Sequence, residues 1–393
     1  MLNFKILGNK VQKYILTNIA AKIPELVLKG SPFDEIKNID IIEQIESKSR
    51  CRSKLPSWYN TPGILYPNKL NIEQCSSEKT AYYKSTLVSG ENLIDITAGF
   101  GVDSFYFSKK IKNILSCELD EKLSKTSEHN FKTLNTKNIR TKALNGLNFL
   151  KKKETIFDWI YIDPSRRGQN NEKKVFIKDC NPDISKHLNL FFKRSQNILI
   201  KLSPMVDIQA LLKDVSNPKE IHIVAVKNEV KEILVVLKKG FSSETTIKAI
   251  NLSSEQPNFE FKISNEKKVV LSYKSPEKYL YEPNLAVIKA GAFKILASKF
   301  KIGKLGPNTH LYTSSKIKNK FPGKIYNIKD VIPYNKRNLN KIIKGIKANI
   351  KSRNFPKSVN EIKEQYKLID GGDIYLFFTS VDLNRVLLVC TKI

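Results

Sequence analysis

The sequence has little cysteine and less histidine, and what there is does not cluster. Five cysteines stand at positions 51, 75, 117, 180 and 390, with four histidines elsewhere. They are odd in number and scattered, with no C-x-x-C pair, so neither a disulfide framework nor a zinc site is expected, and no metal is assigned. Long uncharged apolar runs are also missing, so no membrane partner is expected. The opening M-L-N-F-K-I-L-G-N-K is too short an apolar run for a signal peptide, and a cytoplasmic protein is the expectation. Acid is scarce: 38 acidic residues face 68 basic ones, a formal charge of +30. Such an excess points to a polyanion, most commonly nucleic acid. Only nine of the basic residues are arginine, however, so a general lysine bias competes as an explanation. At 393 residues the chain exceeds the usual size of one domain.

The stretch around which the rest is organised is L-I-D-I-T-A-G-F-G-V-D-S-F-Y-F-S, Leu93 to Ser108. An apolar run ends at a glycine-rich turn and resumes at Val102 with helical spacing, which reads as strand, turn, helix. Gly99 and Gly101 supply freedom at positive φ and no Cβ where a ligand must touch the backbone. A second apolar run, Ile114 to Cys117, closes at Glu118, near where a nucleotide-binding α/β unit places a carboxylate on ribose hydroxyls. In a dinucleotide fingerprint the third small residue would be Ser104, and Asp103 precedes it. A pyrophosphate disfavours that carboxylate, whereas a sulfonium cation does not, so charge favours S-adenosylmethionine over NAD.

The third member of the set is F-D-W-I-Y-I-D-P-S-R-R-G, Phe157 to Gly168, a buried strand with Asp163-Pro164-Ser165 at its carboxyl end, where open α/β sheets carry their chemistry. Together D-I-T-A-G-F-G, C-E-L-D and I-D-P-S-R-R resemble motifs I, II and IV of class I S-adenosylmethionine-dependent methyltransferases. With E-Q-C-S-S-E upstream and S-R-N-F-P near the end, the chain is similar to the bacterial methyltransferases that carry a THUMP-like C-terminal domain. The resemblance implies an α/β fold: a Rossmann-like, seven-stranded sheet, a helical N-terminal region, and a small α+β THUMP-like domain. It implies S-adenosylmethionine as cofactor, with Asp95, Thr97, Gly99, Gly101, Asp103, Glu118 and Asn145 as contacts. Asn145 stands where related enzymes often have an aspartate that reads the adenine amino group; an amide can still accept that bond. Gln74, Ser77 and Thr80 are further candidates, with a plain capped helix as the competing reading.

The implied catalytic group is Asp163, Pro164, Ser165 and Arg166. By resemblance to D-P-P-Y and N-P-P-Y enzymes, Asp163 and the Pro164 carbonyl accept protons of an exocyclic amino group. The chain departs from that pattern, because Ser165 replaces the second proline and Arg166 the stacking aromatic; a base would have to stack on a guanidinium or on a residue from elsewhere. D-P-x-R is also similar to enzymes that methylate uracil carbon, but those need a nucleophilic cysteine. No cysteine stands near any motif in a place suited to that role; Cys180 is the nearest in sequence to Asp163, in a setting that reads as the approach to a helix cap.

The expected organisation is a helical region and linker over 1–69, the methyltransferase domain over 70–240, a β-hairpin and a small ferredoxin-like segment over 241–322, and the THUMP-like domain over 323–393. Lys48, Arg50, Arg52 and Lys54 form a basic patch, and L-P-S-W-Y-N-T-P-G-I-L-Y-P reads as an extended linker whose Trp58 and Tyr59 either stack on a base or pack onto the neighbouring domain. Tyr281, Glu282, Pro283 and Asn284 cap a short helix and are weaker substrate candidates. Between Lys316 and Arg353 twelve basic residues face the single acid Asp330. Lys344, Lys347, Lys351, Arg353 and Asn354 are the candidate RNA contacts, with Gly371 and Gly372 nearby; a solvated lysine face is the alternative. Three functions stay open at this point: an RNA methyltransferase acting on a base nitrogen of tRNA or rRNA, a methyltransferase for a small molecule or protein, and a non-catalytic RNA-binding protein.

Overall fold

The computed structural model describes residues 3–166, 180–215 and 217–393; Arg167 and Gly168 of the Asp163 motif lie outside them. The chain divides into two compact units, Met1–Lys219 with Ile233–Ser243, and Glu220–Glu232 with Glu244–Ile393.

In the first unit, α1 (Asn9–Thr17), α2 (Ile23–Lys29) and α3 (Asn38–Lys54) enclose a small core of Val11, Ile15, Leu26, Ile41 and Ile45, the residues whose spacing marks the helices. The expected extended linker begins instead with a further helix, α4 (Pro56–Asn60). Pro56 sits in its first turn, where a proline lacks only an N–H that has no partner anyway. The helix buries Trp58 against the Phe105 ring, edge to face at 4.6 Å between centroids. Trp58 is therefore core. Of the basic patch only Lys48 is buried, its ammonium 5.5 Å from the Tyr59 and Tyr66 rings; Arg50 and Arg52 are exposed, Arg50 pairing with Glu46 and Glu73.

Two short capped helices follow, α5 (Lys69–Gln74) and α6 (Glu78–Ser85), the second with Ser77 accepting from the Thr80 N–H. Strands and helices then alternate: β1 (Gly90–Asp95), α7 (Val102–Phe107), β2 (Ile111–Glu118), α8 (Glu121–Thr133), β3 (Ile139–Ala143), α9 (Gly146–Lys152), β4 (Phe157–Ile162), the short β5 (Ser165–Arg166) and β6 (Cys180–Asn181), α10 (Ile184–Arg194), β7 (Ser195–Leu202), α11 (Ile208–Asp214) and, after β8 (Glu220–Val226) of the second unit, β9 (Glu229–Lys238). Within this unit the strands run in the order β9-β7-β4-β1-β2-β3. The last five are parallel, and β9 is antiparallel to β7. This is a Rossmann-like arrangement: β1 lies between β4 and β2, so the loop after it opens at the centre of the sheet's carboxyl edge. The middle strands are apolar on both faces because helices cover both, and Ile94, Ile160 and Ile198 are fully buried.

In the second unit β10 (Thr246–Leu252) pairs parallel with β8 and antiparallel with β11 (Phe259–Lys262), the expected hairpin. After α12 (Ile263–Lys268) come β12 (Tyr279–Pro283), α13 (Leu285–Ala290), α14 (Lys294–Phe300), β13 (Gly303–Gly306), β14 (Thr309–Ser314), β15 (Gly323–Pro333), α15 (Lys336–Ile343), β16 (Lys347–Arg353), α16 (Val359–Tyr366), β17 (Ile369–Val381) and β18 (Asn384–Lys392). They form one sheet in the order β13-β14-β12-β15-β18-β17-β16. The strand, helix, strand, strand pattern anticipated at the C-terminus is present as β16 to β18; β15 and α15 were not anticipated, because lysines interrupt both apolar patterns. Among the described residues no helix is long and apolar enough to cross a membrane.

Candidate active site

The loop from β1 to α7 is built by its glycines. Gly99 has φ +56° and Gly101 φ +79°, the left-handed region that favours glycine. A Cβ on Gly101 would stand 2.5 Å from the Phe131 ring, whereas one on Gly99 would meet nothing within 4 Å. Gly101 is therefore needed for packing, and Gly99 leaves open space. That space is a cavity of about 400 Å³ at the carboxyl ends of the parallel strands. Of the anticipated residues, Thr97, Gly99, Glu118, Asn145, Asp163 and Ser165 line it, with Gln74 at the rim.

These groups are fixed by one another. The Asp163 N–H donates to Thr97 Oγ1 at 2.7 Å, which ties the Asp163 loop to the glycine loop. Glu118 accepts from the Gly99 N–H at 2.8 Å and from the Asp120 N–H at 2.9 Å, one bond on each carboxylate oxygen. Asn145 caps α9, its oxygen accepting from the Asn148 N–H at 3.0 Å. The carbonyl foreseen as the adenine reader is thus engaged, and its amide hydrogens are the readier group for a base. Gly146 is held tight beneath, since a Cβ there would stand 2.6 Å from Ile96.

Asp95 and Asp103 are placed differently from the other members of the set. Asp95 is fully buried, accepting from the Thr97 N–H at 3.1 Å and the Ser104 hydroxyl at 2.7 Å. Burial pushes its pKa up to about 8, against those two hydrogen bonds. Asp103 accepts from the Ser76 hydroxyl at 2.8 Å and the Tyr161 hydroxyl at 2.7 Å, and Lys84 Nζ stands 3.3 Å away. Burial opposes its ionisation, but Lys84, then Lys201, Tyr161 and Ser76, outweigh that and hold its pKa below the usual carboxylate range. The charge argument for a sulfonium drawn from Asp103 therefore does not act through a bare carboxylate. Both residues brace the loop from behind. Ser77 and Thr80 likewise serve the α6 cap, Ser77 bonding Thr80. Pro164 is half-buried, and the backbone of Arg166 pairs with Cys180; its side chain lies outside the described residues.

Three residues not singled out from the sequence as site candidates stand here as well. Lys201, at the end of β7, forms an ion pair with Asp163. Lys84 is completely buried beside Asp103. Cys75, the cysteine of E-Q-C-S-S-E, lines the same cavity as Asp163. Its thiol donates to the Ile72 carbonyl at 3.2 Å, and burial pushes its pKa up to about 11, so it is held protonated and is a poor nucleophile. Cys180 is buried in β6.

The predicted RNA-contact set is divided. Lys344 and Lys347 are exposed. Arg353 instead donates to buried Glu282 at 2.7 Å, with Lys351 Nζ at 3.5 Å from the same carboxylate and the Tyr326 hydroxyl donating at 3.1 Å. Asn354 donates to Thr309 at 2.9 Å. The S-R-N-F-P turn is thus pinned to the stretch around β12 and β14, which accounts for Glu282; Asn284 caps α13 as expected.

Compared with known proteins, the chain is similar over its whole length to one solved structure, a candidate methyltransferase from Porphyromonas gingivalis W83. The two share 30% identity with a TM-score of 0.88, covering 100% of this chain and 99% of that one. The chain belongs to the class I S-adenosylmethionine-dependent methyltransferases with a THUMP-like C-terminal domain. Residues 279–322 match a family described as a ferredoxin-like domain, and residues 323–392 one described as THUMP domain-like. Lower similarity joins this methyltransferase to the candidate methyltransferase yhhF from Escherichia coli (19% identity, TM-score 0.31, 44% of this chain and 88% of that one). TrmK of M. capricolum, solved with S-adenosylhomocysteine, is comparable (18%, 0.32, 45% and 71%). No curated protein matched the chain.

The residues present fit the methyltransferase cofactor. The cavity is of ligand size, the Gly99 position leaves the room a Cβ would take, and Glu118 stands at the strand end with acceptor capacity to spare for hydroxyls. When bound, S-adenosylmethionine supplies an electrophilic methyl group, whose bonding pair leaves with sulfur. What this chain's own residues can do is position: Gly99, Glu118 and Asn145 line the cavity, and Asp163 presents a carboxylate to it. Such a reaction asks for alignment and exclusion of water more than for covalent work.

Proposed function

We propose that this methyltransferase acts on RNA in the cytoplasm, at a base nitrogen of tRNA or rRNA, with Asp163 accepting a proton-bearing amino group of the base and Pro164, Ser165 and Arg166 shaping its approach. The observation that carries the reading is Asp163 itself: a carboxylate at the carboxyl end of a central strand, in the same cavity as Gly99 and Glu118. A nucleobase amine has its lone pair delocalised into the ring, so an acceptor is needed to orient it as charge develops. The THUMP domain-like match and the exposed Lys344 and Lys347 support RNA as the partner. Binding of a small molecule or protein instead is the second reading, favoured by the engagement of Arg353 and Lys351 with Glu282.

The test is transfer of labelled methyl from S-adenosylmethionine to total RNA of a strain lacking the gene, with wild-type RNA and the Asp163→Ala enzyme as controls. Label confined to the deletion-strain RNA and dependent on Asp163 is the expected result. Label on proteins or metabolites alone would move the assignment to the second reading.

A further inference from the structure

β4 and β7 are parallel neighbours, with Ile162 opposite Ile200. The next residue on each strand is Asp163 and Lys201, so the register delivers a carboxylate and an ammonium side by side at the edge of the cavity. Lys201 Nζ donates to Asp163 Oδ2, and the side chains are 13% and 32% exposed. The Asp163 backbone N–H is fixed independently on Thr97.

We infer that Lys201 is a positioning residue for methyl transfer: it fixes the Asp163 carboxylate by Oδ2 so that Oδ1 meets the acceptor amine in one orientation. The inference rests on the reading of Asp163 given above. An aspartate has two side-chain torsions, and the Thr97 bond restrains only its backbone. A carboxylate without the lysine would rotate among rotamers, and the amine it holds would lose its line of approach. Two more charged groups act on Lys201: Asp103, whose ionisation Lys201 favours, and Lys54, whose charge it disfavours. A purely structural lysine, there to balance Asp103 and Asp163, is therefore the competing explanation, and it predicts a different experimental outcome. Balancing charge would affect stability and leave turnover by the folded protein unchanged. Positioning would affect kcat.

The experiment uses the full chain with Lys201→Met, Lys201→Arg and Asp163→Ala, each assayed for labelled methyl transfer to the deletion-strain RNA, together with cofactor affinity and melting temperature. For Lys201→Met the expected result is a kcat lower by about 100-fold, the scale of a small misalignment of reacting groups, with KM for RNA and affinity for S-adenosylmethionine little changed. Lys201→Arg, which keeps a cation and donor, restores most of the turnover. Wild-type kcat in folded Lys201→Met overturns the inference, as does a loss that Arg does not relieve. Should Lys201→Met fail to fold, Lys201→Gln against Lys201→Arg decides in the same way: equal turnover overturns, an active Arg with an inactive Gln supports. Failure of the underlying reading is distinct, since it shows as Asp163→Ala retaining turnover.

Discussion

The buried pair behind the glycine loop gives the sharpest test of how this site is held. Lys84 is completely buried, its ammonium 3.3 Å from Asp103 and donating to Ser76 at 3.0 Å. Lys84→Met replaces it with an apolar side chain of similar length and leaves Asp103 buried with the Ser76 and Tyr161 hydroxyls and the weaker field of Lys201. Breaking a buried pair by removing one partner costs about 3–5 kcal/mol. Two surviving charge-assisted hydrogen bonds place the loss near the lower end, about 3 kcal/mol. For a domain the size of the first unit that lowers the melting midpoint by about 6–12 °C. Removing the stranded charge as well, in Lys84→Met with Asp103→Asn, recovers much of the loss, for a coupling of about 2 kcal/mol. Urea titration and thermal melting of the single and double variants at pH 7 measure this cycle. Cofactor affinity, read well below each midpoint, stays unchanged in Lys84→Met if Asp103 braces the loop without touching the ligand. A loss under about 1 kcal/mol for Lys84→Met, or losses that simply add, would refute the pairing as a source of stability.

Three further outcomes are expected. Gly101→Ala places a Cβ against the Phe131 ring at positive φ and should cost about 2 kcal/mol or more, whereas Gly99→Ala meets no atom and should mainly weaken cofactor binding; equal effects on stability in denaturant would contradict the division of labour between the two glycines. Asp95, with a folded pKa raised to about 8 against an ordinary value near 3.9, keeps a proton that the unfolded chain loses, so its contribution is complete below about pH 4 and declines up to about pH 8. Asp95→Asn should remove that decline, and melting curves for variant and wild type that stay parallel between pH 5 and 8 would count against a neutral Asp95. Lys344→Gln and Lys347→Gln should each lower the slope of log RNA affinity against log salt by about one while leaving cofactor affinity alone; an unaltered slope in filter binding would remove this face from the RNA interface.

Local chemistry made the frame legible. Alternating apolar runs mark β1, β2 and β4, Gly99 and Gly101 mark the turn, and Ser77 and Asn284 mark helix starts, because each of these signals acts within a few residues. What stayed hidden depends on partners remote in sequence. Lys201 lies 38 positions from Asp163, and Arg353 lies 71 from Glu282, so nothing near either residue shows that its charge is engaged. Cys75 enters the cavity only because α5 ends there. Pro56 illustrates the opposite difficulty: its signal was local but had two meanings, since a proline that breaks one helix is well placed to begin another.

The buried charges also bear on how the site can tolerate a cation. Asp95, Asp103 and Asp163 lie close enough that the latter two each push the pKa of Asp95 upward. Three adjacent carboxylates could not all stay ionised and dry without a large penalty. The fold resolves this unequally: Asp95 holds its proton at neutral pH, while Lys84 balances Asp103 and Lys201 pairs with Asp163. A positive sulfonium arriving in the cavity therefore meets a nearly neutral wall on this side, and Glu118, outside these pairs, is the carboxylate left to favour the ligand. If Gly99 and Glu118 hold the cofactor as proposed, its selection rests on the room beside Gly99 and on hydrogen bonds to Glu118. Attraction between a sulfonium and Asp103 contributes little, because the lysine that keeps Asp103 ionised also cancels its field.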